Sequence, residues 1–378
     1  MSTETDWRNE ITLIRWISIN SIEGYDRFMK LIKRAATVIA AASVVLSLAS
    51  CGSNLSWAAK IGKDTTVPIG LYIYNQASVY RNAVQNGLLS SSEKLSEQTV
   101  TVSESDSKAT EYLDKEAKKA VKSYVGACLM AKDYNIELTD EEISSAAESA
   151  QSTYDTDKDV FEKNGIAQSS IEEYYKDLAR KSKLFTAKYG KDGTESIKDD
   201  ELKEYIKANY ASINFIQQYF YNDDGTAMTD KEKEALTKEY KDIQAKAEKG
   251  KLDFAKKCEE FNKNATSYKG GYTNSTSRFD TDSEDGEKIM SLKTGQFTML
   301  VTDSAIALIQ KAKLDTSSLI DDENRDSLLI EYKYEDFVKE LQVYSEKNES
   351  VVFNDKAFEK FGSSSRDFSE LSIPNSYY

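Results

Sequence analysis

Cys51, Cys128 and Cys258 are the only thiols in the chain, and there is no histidine at all. The missing imidazole removes the commonest general base and the commonest metal ligand together. Serine–histidine triads, cysteine–histidine dyads and histidine-based zinc sites are therefore excluded within this chain. Cys128 and Cys258 fall inside helical patterns far apart in sequence, and they read as small apolar fillers rather than as a disulfide. The acidic run Asp280-Thr281-Asp282-Ser283-Glu284-Asp285-Gly286 has the composition of a calcium loop. Its spacing is wrong. An EF-hand needs glycine sixth and glutamate twelfth, whereas here Gly286 is seventh and Ser291 twelfth. A solvated loop is the simpler reading, and no metal or cofactor is expected. No phosphate-cradling G-x-x-x-x-G-K-[ST] segment is present. The sequons at Asn264, Asn274 and Asn348 are attributed to chance.

Cys51 stands apart from the other two thiols. It follows basic residues (Lys30, Lys33, Arg34), an apolar run from Ala35 to Leu46, and the small-residue stretch Leu48-Ala49-Ser50. Charged, apolar and small segments in that order make an export signal. The apolar run is shorter than the roughly 20 residues a membrane-spanning helix needs. The segment resembles a bacterial lipoprotein signal with its lipobox. That resemblance implies a lipid on Cys51 and a protein anchored on the extracytoplasmic face of the cell membrane. Met29 directly precedes Lys30, so residues 29–50 read as the signal peptide and 1–28 as an over-extended start.

Composition narrows the partners. The chain has 378 residues, enough for two or three domains, and a formal net charge of −14. Residues 1–50 carry six basic and five acidic side chains, which leaves −15 on the remainder. Such a surface repels phosphate backbones, so nucleic acid is excluded as a partner. A hydrophobic content of 39% with 30% charged residues describes a folded, soluble chain.

The positioning elements follow from periodicity. Residues 51–66 read as anchor and tether, with an edge segment at 57–62. Pro68 opens a helix whose stripe is Ile73, Ala77, Tyr80, Val84 and Leu88. Residues 90–108 are rich in Ser, Glu and Thr and read as an exposed loop. A second helix carries Leu113, Ala117, Val121, Tyr124 and Cys128. Capping boxes at Thr139–Glu142 and Ser169–Glu172 open two more. A shorter fifth helix spans about 199–209, so 67–210 is a helical domain. At 212–221 the composition turns β-branched and aromatic, which predicts a strand. A capped helix from Thr229, a turn at Gly270-Gly271, and strands at 298–301 and 305–309 complete an α+β domain over 211–313. Residues 314–361 return to helix, with a short strand at 351–353, and 362–378 form a frayed polar tail.

The order of these parts resembles the SurA/PrsA-type extracytoplasmic foldases with a parvulin-like peptidyl-prolyl isomerase domain. The likeness runs from about 57 to 354. Ile136-Glu137-Leu138-Thr139-Asp140-Glu141-Glu142-Ile143 and Ile197-Lys198-Asp199-Asp200-Glu201-Leu202 look like the repeated helix starts of those proteins. Gly250-Lys251-Leu252-Asp253-Phe254-Ala255, Lys269-Gly270-Gly271 and Leu292-Lys293-Thr294-Gly295-Gln296-Phe297 look like parvulin turns, and 301–310 looks like its last strand. The implied fold class is α+β: a mainly helical chaperone domain of N- and C-terminal helices with an inserted parvulin-like α+β domain. The implied function is reversible, ATP-independent binding of unfolded, newly exported polypeptides.

The departures fall at the catalytic positions. The resemblance puts the parvulin histidines at Gln218 and around Ala307, and the polar Cys or Asp in the stretch beginning at Asn262. Its apolar floor maps onto Thr281–Asp285. The site is therefore expected to lack full activity. Tyr72, Tyr74 and Tyr175 are candidates for a client groove. Two other readings stand beside this one: an active parvulin-type prolyl isomerase, and a surface-adhesion or solute-binding lipoprotein.

Overall fold

In the computed structural model, which describes residues 55–373 apart from 64, 103–104, 223 and 322–323, the chain forms two units. Cys51, the signal segment 29–50 and residues 1–28 lie outside the described residues. The architecture is α+β, with a four-stranded unit inserted into a mainly helical one. No helix among the described residues is long and apolar enough to cross a membrane.

The helical unit runs to Ser196 and resumes at Lys333. It opens with strands β1 (Trp57–Ile61) and β2 (Thr65–Pro68). Then come α1 (Ile69–Gln85), the hairpin β3 (Thr99–Val102) and β4 (Ser105–Lys108), and α2 (Ala109–Asp133). The helices α3 (Asp140–Thr156), α4 (Lys158–Asn164) and α5 (Gln168–Tyr189) follow. At Thr139 the capping box is present: Glu142 N–H donates to Thr139 Oγ1 at 3.2 Å and Thr139 N–H donates to Glu142 Oε2 at 2.7 Å.

The C-terminal part closes this unit. It consists of α10 from Lys333 onward (the whole helix is Arg325–Lys347), β9 (Val351–Phe353) and α11 (Asp355–Lys360). β1 is central in the sheet order β2-β1-β9, not the edge expected at 57–62. Asn354 fixes the register, its N–H donating to Ala58 O and its Nδ2 to Trp57 O, both at 3.0 Å. Gln76, fully buried on α1, donates through Nε2 to Asp114 Oδ1 at 2.6 Å and to Phe361 O at 3.1 Å. Ser363 N–H donates to the same Asp114 oxygen at 2.8 Å. Gly126 lets α2 and α10 cross closely, because a Cβ there would overlap the Leu341 carbonyl.

Four local expectations are corrected here. Residues 90–108 are not simply a loop: Leu95–Glu97 is a 3₁₀ turn and β3 buries Val100. Ser169 makes no capping box. α5 starts at Gln168 after Ala167, and Ser170 is buried beside Gly70. Gly270-Gly271 is inside a strand, described below. Residues 362–373 pack instead of fraying, burying Phe368 and Leu371, while Asp367 accepts from Lys163 Nζ at 2.7 Å.

The inserted unit spans 197–332. It contains α6 (Asp199–Asn209), β5 (Tyr210–Tyr219), α7 (Asp230–Glu248), α8 (Phe254–Lys263) and β6 (Lys269–Arg278). α9 (Glu284–Ser291), β7 (Phe297–Val301), β8 (Ala305–Lys311) and the first turns of α10 complete it. Its antiparallel sheet has the order β6-β5-β8-β7. Glu331 gathers three elements, accepting from the Tyr205 and Tyr210 hydroxyls and pairing with Arg278 Nε at 3.2 Å.

Two outcomes test these contacts. Gly126→Ala forces a carbonyl and a methyl into the same space and is expected to cost roughly 1–3 kcal/mol in denaturant unfolding; an unchanged midpoint would refute the close crossing. Asp367 is held down at about 2, first by the Lys163 hydrogen bond and then by Ser369. Its folded value lies below its unfolded value, so its stabilisation is present above about pH 4 and is lost as pH falls toward 2. The pair is largely exposed, so Asp367→Asn should cost about 0.2–1 kcal/mol near neutrality and nothing at pH 2.

Candidate functional site

The register of β5 against β8 decides which side chains meet. Gln217 lies opposite Ala307, and Gln218 lies opposite Ile306. Neighbouring side chains on a strand point to opposite faces. Gln218 and Ala307 are therefore on different sides of the sheet, and the residue that shares a face with Ala307 is Gln217. One face carries Ala211, Ile213, Phe215, Leu300, Ala307 and Ile309, covered by Phe279 and Ile289. The other carries Ile216, Ile306 and Leu308 against Tyr240, Ile243, Phe254 and Cys258 of α7 and α8. Asn262 is exposed in the last turn of α8, which packs on this second face. The three positions expected to form one site do not converge.

The double glycine has a packing role. Gly271 sits opposite Ile216, and a Cβ there would meet Phe261 Cβ at 2.7 Å and overlap the Cys258 carbonyl. β6 can lie against α8 only because that side chain is missing. Gly270 sits opposite Gln217, and the ring of Tyr272 lies above it. Tyr272 also stacks on Phe215, with centroids 4.7 Å apart, and remains 46% exposed.

This geometry bears on isomerase chemistry. Rotation about an imide bond meets a barrier of roughly 18–20 kcal/mol. A protein lowers it by desolvating the prolyl ring and favouring the twisted amide. Here Ala307 is 3% exposed and Gln217 is 9% exposed, so the face at this point is filled. Neither side chain titrates. Gln217 Oε1 has no hydrogen-bond partner among the described residues. The acidic run does not supply a floor. Ser283 caps α9, accepting from Gly286 N–H at 3.1 Å, and it is Ile289 and Met290 further along that pack on the sheet.

The groove candidates separate in the same way. Tyr72 is buried against Phe358 with centroids 4.8 Å apart, and Tyr74 is buried between Phe161 and Tyr174. Both are core side chains and cannot line an accessible groove. Tyr175 is half-buried and shares a hydrogen bond with Thr153 at 2.7 Å. Leu71 to Ala77 are all buried, so the first turns of α1 are enclosed, whereas Asn82 and Gln85 near its end are exposed.

Both cysteines among the described residues lie in helices, Cys258 buried and Cys128 half-buried. Burial pushes Cys258 up to about 12 and Cys128 up to about 11. Cys128 adjoins a largely buried polar cluster in which the Tyr124 hydroxyl donates to Glu173 at 2.8 Å and Lys181 pairs with Asp177 at 2.6 Å. A thiol held that high is not a nucleophile near neutral pH. Among the described residues no three His, Cys, Asp or Glu side chains gather as a metal set.

No family model matches the chain, and no curated protein matches it. Among solved structures it is similar to the foldase protein PrsA from Lactococcus lactis, at 15% identity and a TM-score of 0.30, over 81% of this chain and 99% of that one. It is similar to the foldase protein PrsA from Streptococcus pneumoniae, at 15% identity and a TM-score of 0.30, over 69% and 97%. PrsA from Bacillus subtilis gives 17% identity and a TM-score of 0.25, over 68% and 94%.

Proposed function

We propose that this protein is an extracytoplasmic foldase that holds unfolded exported polypeptides at the membrane surface, anchored by a lipid on Cys51. The observation that carries the reading is the inserted sheet unit itself. It interrupts a helical unit at the place where the parvulin-like motifs occur in sequence, and the flanking segments close one core around β1 and β9. The chain would work by binding and release, without nucleotide or metal. Its parvulin-like face would contribute packing and surface instead of strong catalysis, because Ala307 and Gln217 are covered and no histidine is available.

A chemically denatured client diluted into buffer with the purified protein should aggregate less at a few equivalents. The same preparation should leave a proline-limited refolding phase, slow enough to follow by hand, at its uncatalysed rate. Absence of any effect on aggregation at stoichiometric excess would remove the foldase reading. Acceleration of the proline phase would replace the holding mechanism with catalysis. For the anchor, a bacterial host fed a labelled fatty acid should label the wild-type chain and not Cys51→Ala; equal labelling of both would place the lipid elsewhere.

A further inference from the structure

The end of the described chain lies on the helical unit in the manner of a bound peptide. After the 3₁₀ turn Ser363–Ser365, residues 366–373 form neither helix nor strand. Phe368 and Leu371 are buried, while Asp367, Ser369, Glu370 and Ser372 are exposed. Phe368 lies against the Tyr80 ring of α1, with centroids 5.9 Å apart. Among the described residues, the main chain of 366–373 bonds no main chain outside 363–373. No ladder or helix therefore ties this strap to its unit.

Side chains at the two ends of α4 hold it instead. Asn164, 2% exposed in the last turn of α4, takes both main-chain groups of Asp367. The Asp367 N–H donates to Asn164 Oδ1 at 3.1 Å, and Asn164 Nδ2 donates to Asp367 O at 2.7 Å. Asp157, 5% exposed just before α4, accepts from the Ser372 N–H at 2.7 Å. Both receptor groups also have a partner outside the strap. Asn164 Nδ2 donates to Val160 O at 2.9 Å, and Asp157 Oδ2 pairs with Arg81 at 2.6 Å. These bonds keep the bracket set when the strap leaves, and water satisfies the two oxygens it uncovers.

We propose that the groove between α1 and the bracket Asp157–Asn164 is a client site, which the chain's own strap occupies in cis and a client segment enters in trans. The inference rests on the foldase reading and names the segment that the foldase takes. Bonds from Asn164 and Asp157 to main-chain groups are indifferent to sequence, and pockets and charge add the preference. The occupant that fits is extended, with an acidic residue directly before an aromatic one and an aliphatic residue three positions further on. That is the chemistry of Asp367-Phe368-Ser369-Glu370-Leu371. The acid meets Lys163 Nζ, 2.7 Å from Asp367, and the aromatic and aliphatic side chains enter the apolar core of the helical unit. The strap covers this apolar surface until a client competes for it, so the open fraction of the groove sets client affinity. The clasp upstream stays closed, because its bonds from Asn354 to Ala58 and from Ser363 to Asp114 involve no strap residue.

Native-state hydrogen exchange of the full-length wild type is the first test. The Asp367 and Ser372 amides should have protection factors roughly tenfold or more below that of Asn354, whose amide closes β9 on β1. Equal protection means that the strap leaves only on global unfolding, and it overturns the proposal. The probe for binding is a fluorescein-labelled peptide with the sequence of residues 364–373, followed by fluorescence anisotropy. Full-length Phe368→Ala/Leu371→Ala, whose own strap lacks its anchors, should bind this probe roughly tenfold or more tighter than the wild type. In that background Lys163→Glu should weaken the probe about two- to fivefold, and a probe with lysine in place of its aspartate should recover the loss. Circular dichroism and thermal melting check the anchor variant; its unfolding would show the strap to be core and overturn the proposal. A folded anchor variant that does not bind, or binding blind to the charge swap, does the same. So does sedimentation of the wild type as a dimer that the anchor variant dissociates, since the occupant is then a second copy. If the anchor variant binds the probe but neither protein suppresses client aggregation, the foldase reading falls and the groove stands as a peptide site alone. If the wild type suppresses aggregation and the folded anchor variant binds no probe, only the groove falls.

Discussion

Everything in the helical unit depends on residues 351–363 returning to the strand and helix laid down by 57–85. β9 completes the sheet on β1, Asn354 fixes its register, and Phe358 fills the space beside Tyr72. Gln76 and Asp114 then hold the chain at Phe361 and Ser363 by buried hydrogen bonds. A buried amide left without its partner costs about 1–3 kcal/mol, so these contacts act as an all-or-none clasp. The partners are nearly 300 residues apart in sequence, as with Asn354 and Trp57. Loop-closure entropy grows only as the logarithm of loop length, so an inserted unit of this size is tolerated thermodynamically while slowing the search for the closing contact.

The inserted unit is organised by its sheet. One face is closed by α7 and α8, the other by Phe279 and Ile289. Glycine at 271 permits this closure by admitting α8, since a Cβ there would overlap the Cys258 carbonyl.

Legibility followed local composition. β5, β7, β8 and β9 were readable because β-branched and aromatic runs are bounded by turns, and α3 because Thr139 and Glu142 satisfy amides within one turn. β6 was not readable, since Thr, Asn and Ser dominate it and its glycines look like a turn. Its pairing comes from β5, a partner far away in sequence. Ser170 has the spacing of a cap, yet tertiary packing buries it beside Gly70. The tail looked polar, and only the three-dimensional structure reveals that Phe368 and Leu371 are its anchors.

The sequence alone determined what chemistry is impossible here. Without histidine, no imidazole base, histidine-containing triad or histidine-ligated zinc site can form within this chain, whatever the fold. It also determined the succession of helical, mixed and helical segments, because periodicity is local. Tertiary structure decided which residues meet. Gln217 and Gln218 are adjacent and identical, and only strand register puts one of them opposite Ala307. Tyr72 and Tyr74 look like groove residues until the first turns of α1 are enclosed. A side chain's type is a local property, but its partners and its exposure are properties of the packed chain.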